Sequence, residues 1–327
     1  MNYKESEEIL SKVQSADRIL VNCHRNPDPD SVGSALAMYS VLRTMGKDVA
    51  VICPTGASEN LSFLKNFEAI ETVDFEKYDF SQHDLFICID SASWGMVAAS
   101  EDIKKPNIDI VVIDHHKTNT KYGSANLVDW EVNSAAEVLY RVFEDWEVTI
   151  DEAVATSLLT GIIGDTGSFR YSGTTPETLR LAANLLEKGA DKDKINLNIN
   201  FTVSEKLVAF WAEMLSRIKI ENEHSFVWVA APFELYKKFG KPVDAKERLA
   251  SEFFQSVEGT NFGVVMVETE EKNLSVSFRS RTNFDVSKIA IELGGGGHAA
   301  ASGARIENTP YEEAVEKVLE TCRKYAK

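Results

Sequence analysis

A histidine and two aspartates stand within seven positions near the N-terminus, in a segment that two prolines stiffen. The segment reads His24-Arg25-Asn26-Pro27-Asp28-Pro29-Asp30 and follows an apolar run that ends at Cys23. Because proline fixes the backbone angle φ, such a loop can aim the imidazole and both carboxylates at one point. Imidazole and carboxylate groups are ligands of divalent metal ions, so His24, Asp28 and Asp30 are candidate metal ligands.

Three further clusters of acidic residues follow later in the chain, and we expect each at the carboxyl end of a parallel strand. They are Asp90, the run Asp114-His115-His116, and Asp165 in Gly161-Ile162-Ile163-Gly164-Asp165-Thr166-Gly167. The glycines around Asp165 permit a tight turn or a close approach of the backbone. Taken singly, each cluster could be a helix cap, a turn or a surface patch.

Taken together, the clusters favour a metal centre. Five aspartates that converge at strand ends repel one another unless cations neutralise them, and two divalent ions supply the required charge. A mixture of carboxylate and imidazole ligands without thiolate suits Mn²⁺, with Mg²⁺, iron or Co²⁺ as alternatives. The sequence therefore predicts two divalent cations, and Mn²⁺ is the preferred identity.

Short apolar runs alternate with amphipathic stretches in the first half of the chain, which predicts buried parallel strands separated by helices. The first helix is predicted at Ser31–Met45, and Gly46 is suited to end it. Two later helix starts are marked by a capping-box pattern at Ser134 and Glu137 and by Thr175 followed by proline. The predicted strands are Ile19–Cys23, Val49–Cys53, Leu85–Ile89 and Ile110–Ile113.

The hydrophobic pattern weakens between Glu187 and Glu205, which predicts a domain boundary. A second set of strands follows at Phe226–Ala230, Phe262–Glu268 and Leu274–Phe278, before a last helix from Tyr311. The predicted fold class is α/β, with a mostly parallel sheet carrying helices on both faces and a smaller C-terminal α/β domain. The expected limits are 1–190 for the first domain, 191–215 for a linker region and 216–327 for the second domain.

Charge and composition restrict the partners. The 327 residues include 35 basic and 51 acidic ones, which gives a net charge of -16. This field repels polyanions, so long duplex nucleic acid is excluded as an expected partner, and a phosphate ligand must be small or held by cations. The absence of a long apolar run and the four scattered cysteines predict a cytoplasmic protein without a membrane partner. The sequence is compatible with either a monomer or a homodimer.

The four clusters, in this order, resemble the four motifs of the DHH family of phosphoesterases. The segment Val276-Ser277-Phe278-Arg279-Ser280, followed by the glycine-rich run from Gly294 to Gly303, resembles the DHH-associated substrate-binding domain. Within the family, the chain looks most like the short two-domain members of the NrnA type. Those members degrade very short RNA (nanoRNA) and dephosphorylate 3′-phosphoadenosine 5′-phosphate (pAp).

The resemblance implies a role for each motif residue. It assigns His24, Asp28 and Asp90 to one cation, and the second cation to Asp90, which would bridge the two, together with Asp30, His115 and Asp165. It makes Asp114 an orienting residue and turns His116 towards the phosphate, so that these two residues form the catalytic pair. The implied substrate-binding residues are Arg279, Ser280, Gly295, Gly296, Gly297 and His298.

The resemblance therefore implies a two-metal phosphoesterase that releases mononucleotides from short single-stranded oligoribonucleotides, hydrolyses pAp, or does both. The first domain would cut while the second grips the terminal nucleotide in an interdomain cleft. One alternative is a phosphodiesterase for cyclic dinucleotides or linear pApA. Inorganic pyrophosphatase has a similar catalytic domain, but the Gly-Gly-Gly-Gly-His run favours a nucleotide. The non-enzyme alternative is a nucleotide-sensing regulatory protein, against which the intact ligand set argues.

Overall fold

The computed structural model of the chain describes residues 2–171, 173–242 and 245–326. The chain divides into two compact units, one that ends at Thr202 and one that begins at Val203. The segment 191–215, which the sequence predicts as a linker region, contains two helices, and the division falls between them. The outer limits predicted for the two domains, Met1 and Lys327, lie outside the described residues.

The first unit is built on a six-stranded sheet in which all neighbouring strands are parallel. Its strands are β1 (Arg18–Asn22), β2 (Asp48–Cys53), β3 (Ile70–Thr72), β4 (Leu85–Ile89), β5 (Asp109–Asp114) and β6 (Ala125–Val128). The order β3-β2-β1-β4-β5-β6 changes direction between β1 and β4. In open parallel sheets such a switch point leaves a crevice at the carboxyl ends of the strands, where ligands bind.

The four central strands agree with the apolar runs predicted from the sequence. β1, β4 and β5 are buried over most of their length, and β2 is buried over its second half. The edge strands β3 and β6 were not predicted. All three residues of β3 are at least partly exposed, and β6 alternates buried and half-buried positions over only four residues. Neither strand therefore contains the continuous apolar run that identifies a buried parallel strand.

Helices cover both faces of this sheet, as predicted, but unequally. One face packs against long helices that share a single hydrophobic core with the strands. The other face is covered by the short helix α3 and by aromatic residues that include Phe75 and Trp94. The helices are α1 (Glu5–Ser15), α2 (Pro29–Thr44), α3 (Trp94–Ala98), α4 (Ala135–Asp145), α5 (Glu152–Asp165), α6 (Pro176–Glu187) and α7 (Lys192–Ile199).

The helix ends follow the predicted sequence signals in most respects. Gly46 lies just past α2 with a φ of +82°, and Thr175 caps α6 ahead of a proline. The capping box predicted at α4 is only half formed. Ser134 accepts the N–H of Glu137 at 3.2 Å, but the Glu137 carboxylate accepts the hydroxyl of Thr178 at 3.0 Å instead of reaching back to Ser134. Glu137 is buried, and Thr178 satisfies it there.

The second unit contains a mixed six-stranded sheet in the order β11-β12-β10-β9-β8-β7, in which β8 and β9 are parallel and the other pairs antiparallel. Its strands are β7 (Lys219–Glu221), β8 (Phe226–Ala231), β9 (Phe262–Glu270), β10 (Asn273–Ser280), β11 (Gly296–Gly297) and β12 (Ala301–Ile306). Its helices are α8 (Glu205–Leu215), α9 (Phe233–Lys238), α10 (Ala245–Glu252), α11 (Ser287–Glu292) and α12 (Tyr311–Tyr325).

Two separate hydrophobic cores flank this second sheet. One joins the strands to α11 and α12, and the other joins them to α8, α9 and α10. The unit is therefore an α/β domain with helices on both faces. Within the described residues of the whole chain, none of the helices has the length and apolar character that a membrane span requires.

Candidate metal centre

Three of the four predicted clusters lie at one edge of the first sheet. His24 follows β1, Asp90 comes directly after β4, and Asp114 is the last residue of β5. The chain turns sharply at Asp90, which has a φ of +52°, and its backbone N–H donates to the carbonyl of Ile113 at 3.0 Å. Because the carboxyl ends of parallel strands meet at one edge, the three clusters converge.

The fourth cluster reaches the same place by a different route. Asp165 is the last residue of helix α5, so the expectation that it follows a strand was wrong. The Gly-Ile-Ile-Gly run resembles a short buried strand between turn residues, but it is the last part of a largely buried helix. Periodicity alone does not separate these two structures in a short apolar run.

The glycines of α5 allow this helix to approach the first loop. A Cβ atom on Gly161 would lie 2.4 Å from Asp30 Oδ1, and one on Gly164 would lie 2.8 Å from the Cβ of Pro29. Both contacts are too short for any side chain. The close backbone approach that the glycines predicted is therefore present, and it brings Asp165 towards Asp30.

The first group of candidate ligands consists of His24, Asp28 and Asp90, whose ligand atoms lie within 4.8 Å of one another. His24 Nε2 is 3.4 Å from Asp90 Oδ2 and 3.8 Å from Asp28 Oδ2. His24 Nδ1 lies 2.9 Å from the carbonyl of Arg25. Donation from Nδ1 to that carbonyl leaves the lone pair on Nε2, which is the tautomer a metal ligand needs.

The second group consists of Asp30, His115 and Asp165, again within 4.8 Å. His115 Nε2 lies 3.2 Å from Asp165 Oδ2, 4.0 Å from Asp30 Oδ2 and 3.4 Å from Asp90 Oδ1. Asp90 thus turns Oδ2 towards His24 and Oδ1 towards His115. This is the arrangement of a carboxylate that can bridge two ions.

The buried charges perturb one another strongly. Burial and the nearby charges of Asp90 and Asp165 raise the pKa of Asp30 well above its usual range. Burial, opposed by His115, raises the pKa of Asp165 to about 6. Burial alone would also raise the pKa of Asp90, but the neighbouring imidazoles of His115 and His24 hold that pKa well below its usual range. Burial lowers the pKa of the His24 and His115 imidazoles, but their aspartate neighbours outweigh it and raise both pKa values.

The residues fit a pair of divalent cations. The Oδ1 atom of Asp90 is buried and accepts no hydrogen bond from any residue that the structure describes, which is costly unless a cation takes its place. Carboxylate oxygens and imidazole nitrogens make up the two groups, which is a donor set for Mn²⁺ or a similar ion. These residues could therefore hold two ions, with Asp90 between them.

Asp114 and His116 form a pair beside this cluster. Asp114 Oδ1 lies 2.8 Å from His116 Nδ1, and Asp114 is fully buried, whereas about a quarter of the His116 side chain is exposed. Burial lowers the pKa of His116, but the hydrogen bond to Asp114 outweighs this effect and raises that pKa above its usual value. Sequence reasoning missed Asn119, whose amide donates to the other oxygen of Asp114 at 2.6 Å. Only its position shortly after the Asp-His-His run could have pointed to it.

The residues predicted to bind substrate lie in the second unit. Arg279 ends β10 with Ser280, and its Nε donates to Ser251 Oγ at 2.9 Å. The Ser280 hydroxyl is buried and has no hydrogen-bond partner among the described residues. His298 is exposed, and its N–H donates to Ala301 across the turn between β11 and β12.

The four consecutive glycines are required, or tolerated, for different structural reasons. Gly294 has a φ of +81° and, with Gly295, ends α11 through N–H bonds to the carbonyls of Ile291 and Ala290. A Cβ on Gly295 or on Gly297 would overlap β12. A Cβ on Gly296 would meet nothing within 4 Å. Packing therefore explains Gly295 and Gly297, whereas Gly296 faces open space.

Comparison with known families agrees with this architecture. Residues 18–162 match the model of the DHH family N-terminal domain, and residues 234–327 match the DHHA1 domain. The chain contains a DHH domain and a DHHA1 domain. The four clusters lie in or directly beside the first matched region, and the glycine run lies in the second.

Relatives of this chain include proteins with assigned activities. The chain is 29% identical to the bifunctional oligoribonuclease and PAP phosphatase NrnA of Thermus thermophilus, over 97% of this chain and 92% of that protein. It is 26% identical to the cyclic-di-AMP phosphodiesterase PdeA of Listeria monocytogenes, over 98% of this chain but 50% of that protein. A crystal structure of an exopolyphosphatase-related protein from Bacteroides fragilis matches with a TM-score of 0.88 and 26% identity, over 98% of this chain and 96% of that one.

Proposed function

We propose that the chain is a two-metal phosphoesterase that hydrolyses short single-stranded oligoribonucleotides to mononucleotides and removes a phosphate from pAp. The observation that carries the proposal is Asp90, whose two oxygens face two separate imidazole and carboxylate groups. The near full-length similarity to a bifunctional oligoribonuclease and PAP phosphatase supports this substrate class. The net charge of -16 agrees with a small substrate rather than a long duplex.

Each residue group has a proposed task. His24, Asp28 and Asp90 would hold one cation, and Asp30, Asp90, His115 and Asp165 the other. Two such cations, when bound, lower the pKa of water and neutralise the charge of a phosphate. Asp114 orients His116 through Nδ1, so that Nε2 of His116 can hold or deliver a proton at the phosphate. The two aspartates nearest His115 keep that imidazole fixed in the cluster.

The second unit would bind the substrate. Arg279, Ser280 and His298 would contact its phosphate by hydrogen bonds, and Gly296 and Gly297 would offer backbone N–H groups. The N–H of Gly295 already donates to the carbonyl of Ala290, so Gly295 would contribute only its lack of a side chain. The unpartnered buried hydroxyl of Ser280 supports a polar contact that a ligand completes. The open space beside Gly296 supports a close approach of the ligand to the backbone there.

A second candidate function is hydrolysis of cyclic dinucleotides or linear pApA. It is favoured by the relative named as a cyclic-di-AMP phosphodiesterase, although the chain spans only half of that protein. The two candidates share the metal centre and differ in the substrate. Mn²⁺ is the proposed metal. A cytoplasmic location is supported by four free thiols, all of them buried.

One assay separates these candidates. The purified chain is incubated with Mn²⁺, Mg²⁺ or Co²⁺ and with di- to pentaribonucleotides, pAp, pApA and cyclic di-AMP, and released mononucleotide or phosphate is measured. The proposal predicts the highest kcat/KM with Mn²⁺ on the short RNAs or pAp. A preference for pApA or cyclic di-AMP supports the second candidate. Nucleotide binding without turnover under any metal contradicts both and supports a sensor.

A further inference from the structure

Asn119 lies three residues after His116, and its side-chain amide is fully engaged. Its Nδ2 donates to Asp114 Oδ2 at 2.6 Å and to the carbonyl of Ser91 at 3.1 Å. Its Oδ1 accepts the backbone N–H of Lys121 at 2.6 Å, and its own backbone N–H donates to the carbonyl of His116 at 3.0 Å. Both amide hydrogens are thus used, one on each of two separate loops.

The two acceptors belong to the two loops that carry the candidate chemistry. Ser91 directly follows Asp90 at the end of β4, and Asp114 ends β5. A second link, from the N–H of Thr120 to the carbonyl of Ala92 at 2.9 Å, runs beside the first. The amide of Asn119 therefore ties the loop of Asp90 to the loop of Asp114, His115 and His116.

The bond to Asp114 also fixes the ring of His116. Asp114 Oδ2 is occupied by Asn119, so Oδ1 is the oxygen that faces His116 Nδ1 at 2.8 Å. Asp114 is completely buried, and Asn119 is the neutral donor that offsets part of the cost of burying its charge. Without this donor, the carboxylate can rotate, and the His116 ring loses the acceptor that sets its orientation and tautomer.

We propose that Asn119 is a positioning residue that holds the Asp114–His116 pair at a fixed position relative to Asp90. The expected effect on kcat rests on the proposed phosphoesterase function. The clamp, by which we mean the two hydrogen bonds from the Asn119 amide to Asp114 and Ser91, does not depend on that function. A carboxamide is required because it supplies two donors and one acceptor at the same place. Substituting one donor nitrogen by an oxygen breaks both links while the shape stays the same.

The test uses Asn119→Asp, which keeps the acceptor for Lys121 but places a carboxylate against Asp114 and Ser91. Asn119→Ser is the uncharged second variant, because its hydroxyl is too short to span both acceptors. Asn126→Asp is the matched control. Asn126 Nδ2 donates to the carbonyl of Gly123 at 2.8 Å, and Asn126 Oδ1 accepts the N–H of Gly123 at 3.0 Å. Both bonds lie at the far end of the loop that follows β5, and neither involves Ser91, Asp114 or His116.

Two readouts are taken on Mg²⁺-loaded, folded protein. Long-range proton–nitrogen NMR of the histidine rings, with the His116 signal identified by its loss in His116→Gln, reports whether Nδ1 carries a hydrogen-bonded proton. Steady-state hydrolysis of pAp and a trinucleotide gives kcat and KM. We expect both Asn119 variants to lose the protected Nδ1 proton of His116 and at least tenfold in kcat, with KM within twofold and Asn126→Asp unchanged.

An unchanged His116 signal in both Asn119 variants overturns the clamp, whatever the kinetics show. An altered signal with an unchanged kcat overturns the positioning role of Asn119 in turnover. If the wild-type chain hydrolyses neither substrate, the proposed function fails. The NMR comparison then still decides whether Asn119 holds His116.

Discussion

The carboxylate of Asp30 lies at the N-terminus of α4, where its Oδ2 accepts a hydrogen bond from the backbone N–H of Ala135 at 2.6 Å. Its Oδ1 accepts the N–H of Ala136 at 3.0 Å and the hydroxyl of Ser34 at 3.2 Å. The free N–H groups at a helix start attract a negative charge. Helix α4 therefore holds a completely buried carboxylate that faces the rest of the acidic cluster.

Weakening the start of α4 should weaken metal binding. Ser134 caps this helix by accepting the N–H of Glu137 at 3.2 Å, and Ser134→Ala should lower the free energy of unfolding by about 1 kcal/mol. Because the adjacent N–H groups bind Asp30, Mn²⁺ affinity should fall about tenfold, the low end for residues that orient metal ligands. Thermal unfolding and Mn²⁺ titration calorimetry measure the two effects.

Ser204→Ala is the matched control for this change. Ser204 caps α8 with a bond of the same length to the N–H of Leu207, and it lies in the second unit. It should lower stability similarly and leave Mn²⁺ affinity unchanged. Equal losses of Mn²⁺ affinity in Ser134→Ala and Ser204→Ala would contradict the role given to α4.

Mn²⁺ should stabilise the folded chain, and Asp90→Ala should abolish this effect. Metal that binds only the folded state adds about 2.7 kcal/mol per site at a free concentration 100 times the dissociation constant. Asp90 Oδ2 lies 3.4 Å from His24 of the first group, and its Oδ1 lies 3.4 Å from His115 of the second, so its loss should remove both sites. Thermal unfolding with and without Mn²⁺ measures the shift. Asp193→Ala is the control, because it removes the same charge from a highly exposed side chain. It should keep the full Mn²⁺-induced rise in melting temperature.

Much of this centre follows from sequence, and the reason is the parallel sheet. The residues at the ends of β1, β4 and β5 could be placed together because strand order and direction force their carboxyl ends to one edge. Asp165 was selected by its motif although its helix was read as a strand. Asn119 was missed, because its role depends on the distance between two loops, and its position shortly after the Asp-His-His run was the only local signal.

The second unit was less predictable for related reasons. Strands such as β8 and β9 are long and apolar, so they were predicted within two residues. The short strands β7 and β11 and the small-residue strand β12 lack that pattern, and pairing with neighbours alone defines them. The glycine run was predicted to approach a ligand, but only the structure separates the glycines that packing requires from Gly296.

This separation can be tested by alanine substitution in the glycine run. Gly296→Ala should leave the melting temperature unchanged, because its Cβ meets nothing within 4 Å, and should raise KM if a ligand approaches there. Gly295→Ala should destabilise the second unit by about 1 to 3 kcal/mol or more, since its Cβ would overlap the backbone of β12. A Gly296→Ala variant with unchanged KM would contradict the proposed approach.

Arg279→Ala should act on substrate binding rather than on turnover. Loss of one hydrogen bond to a charged phosphate costs about 1.5 to 3 kcal/mol, so KM should rise about ten- to hundredfold while kcat changes little. Arg305→Ala is the control, because Arg305 lies on neighbouring β12 and its guanidinium pairs with Glu270 and Glu307. A fall in kcat with KM unchanged in Arg279→Ala would exclude a binding role.

The most direct test of the two-metal centre is a crystal structure of the chain grown with Mn²⁺, with data collected at the manganese absorption edge. We expect two anomalous peaks about 3.5 to 4 Å apart, with Asp90 contacting both. One peak should contact His24 and Asp28, and the other Asp30, His115 and Asp165. A single peak, or peaks away from Asp90 at saturating Mn²⁺, would contradict the account.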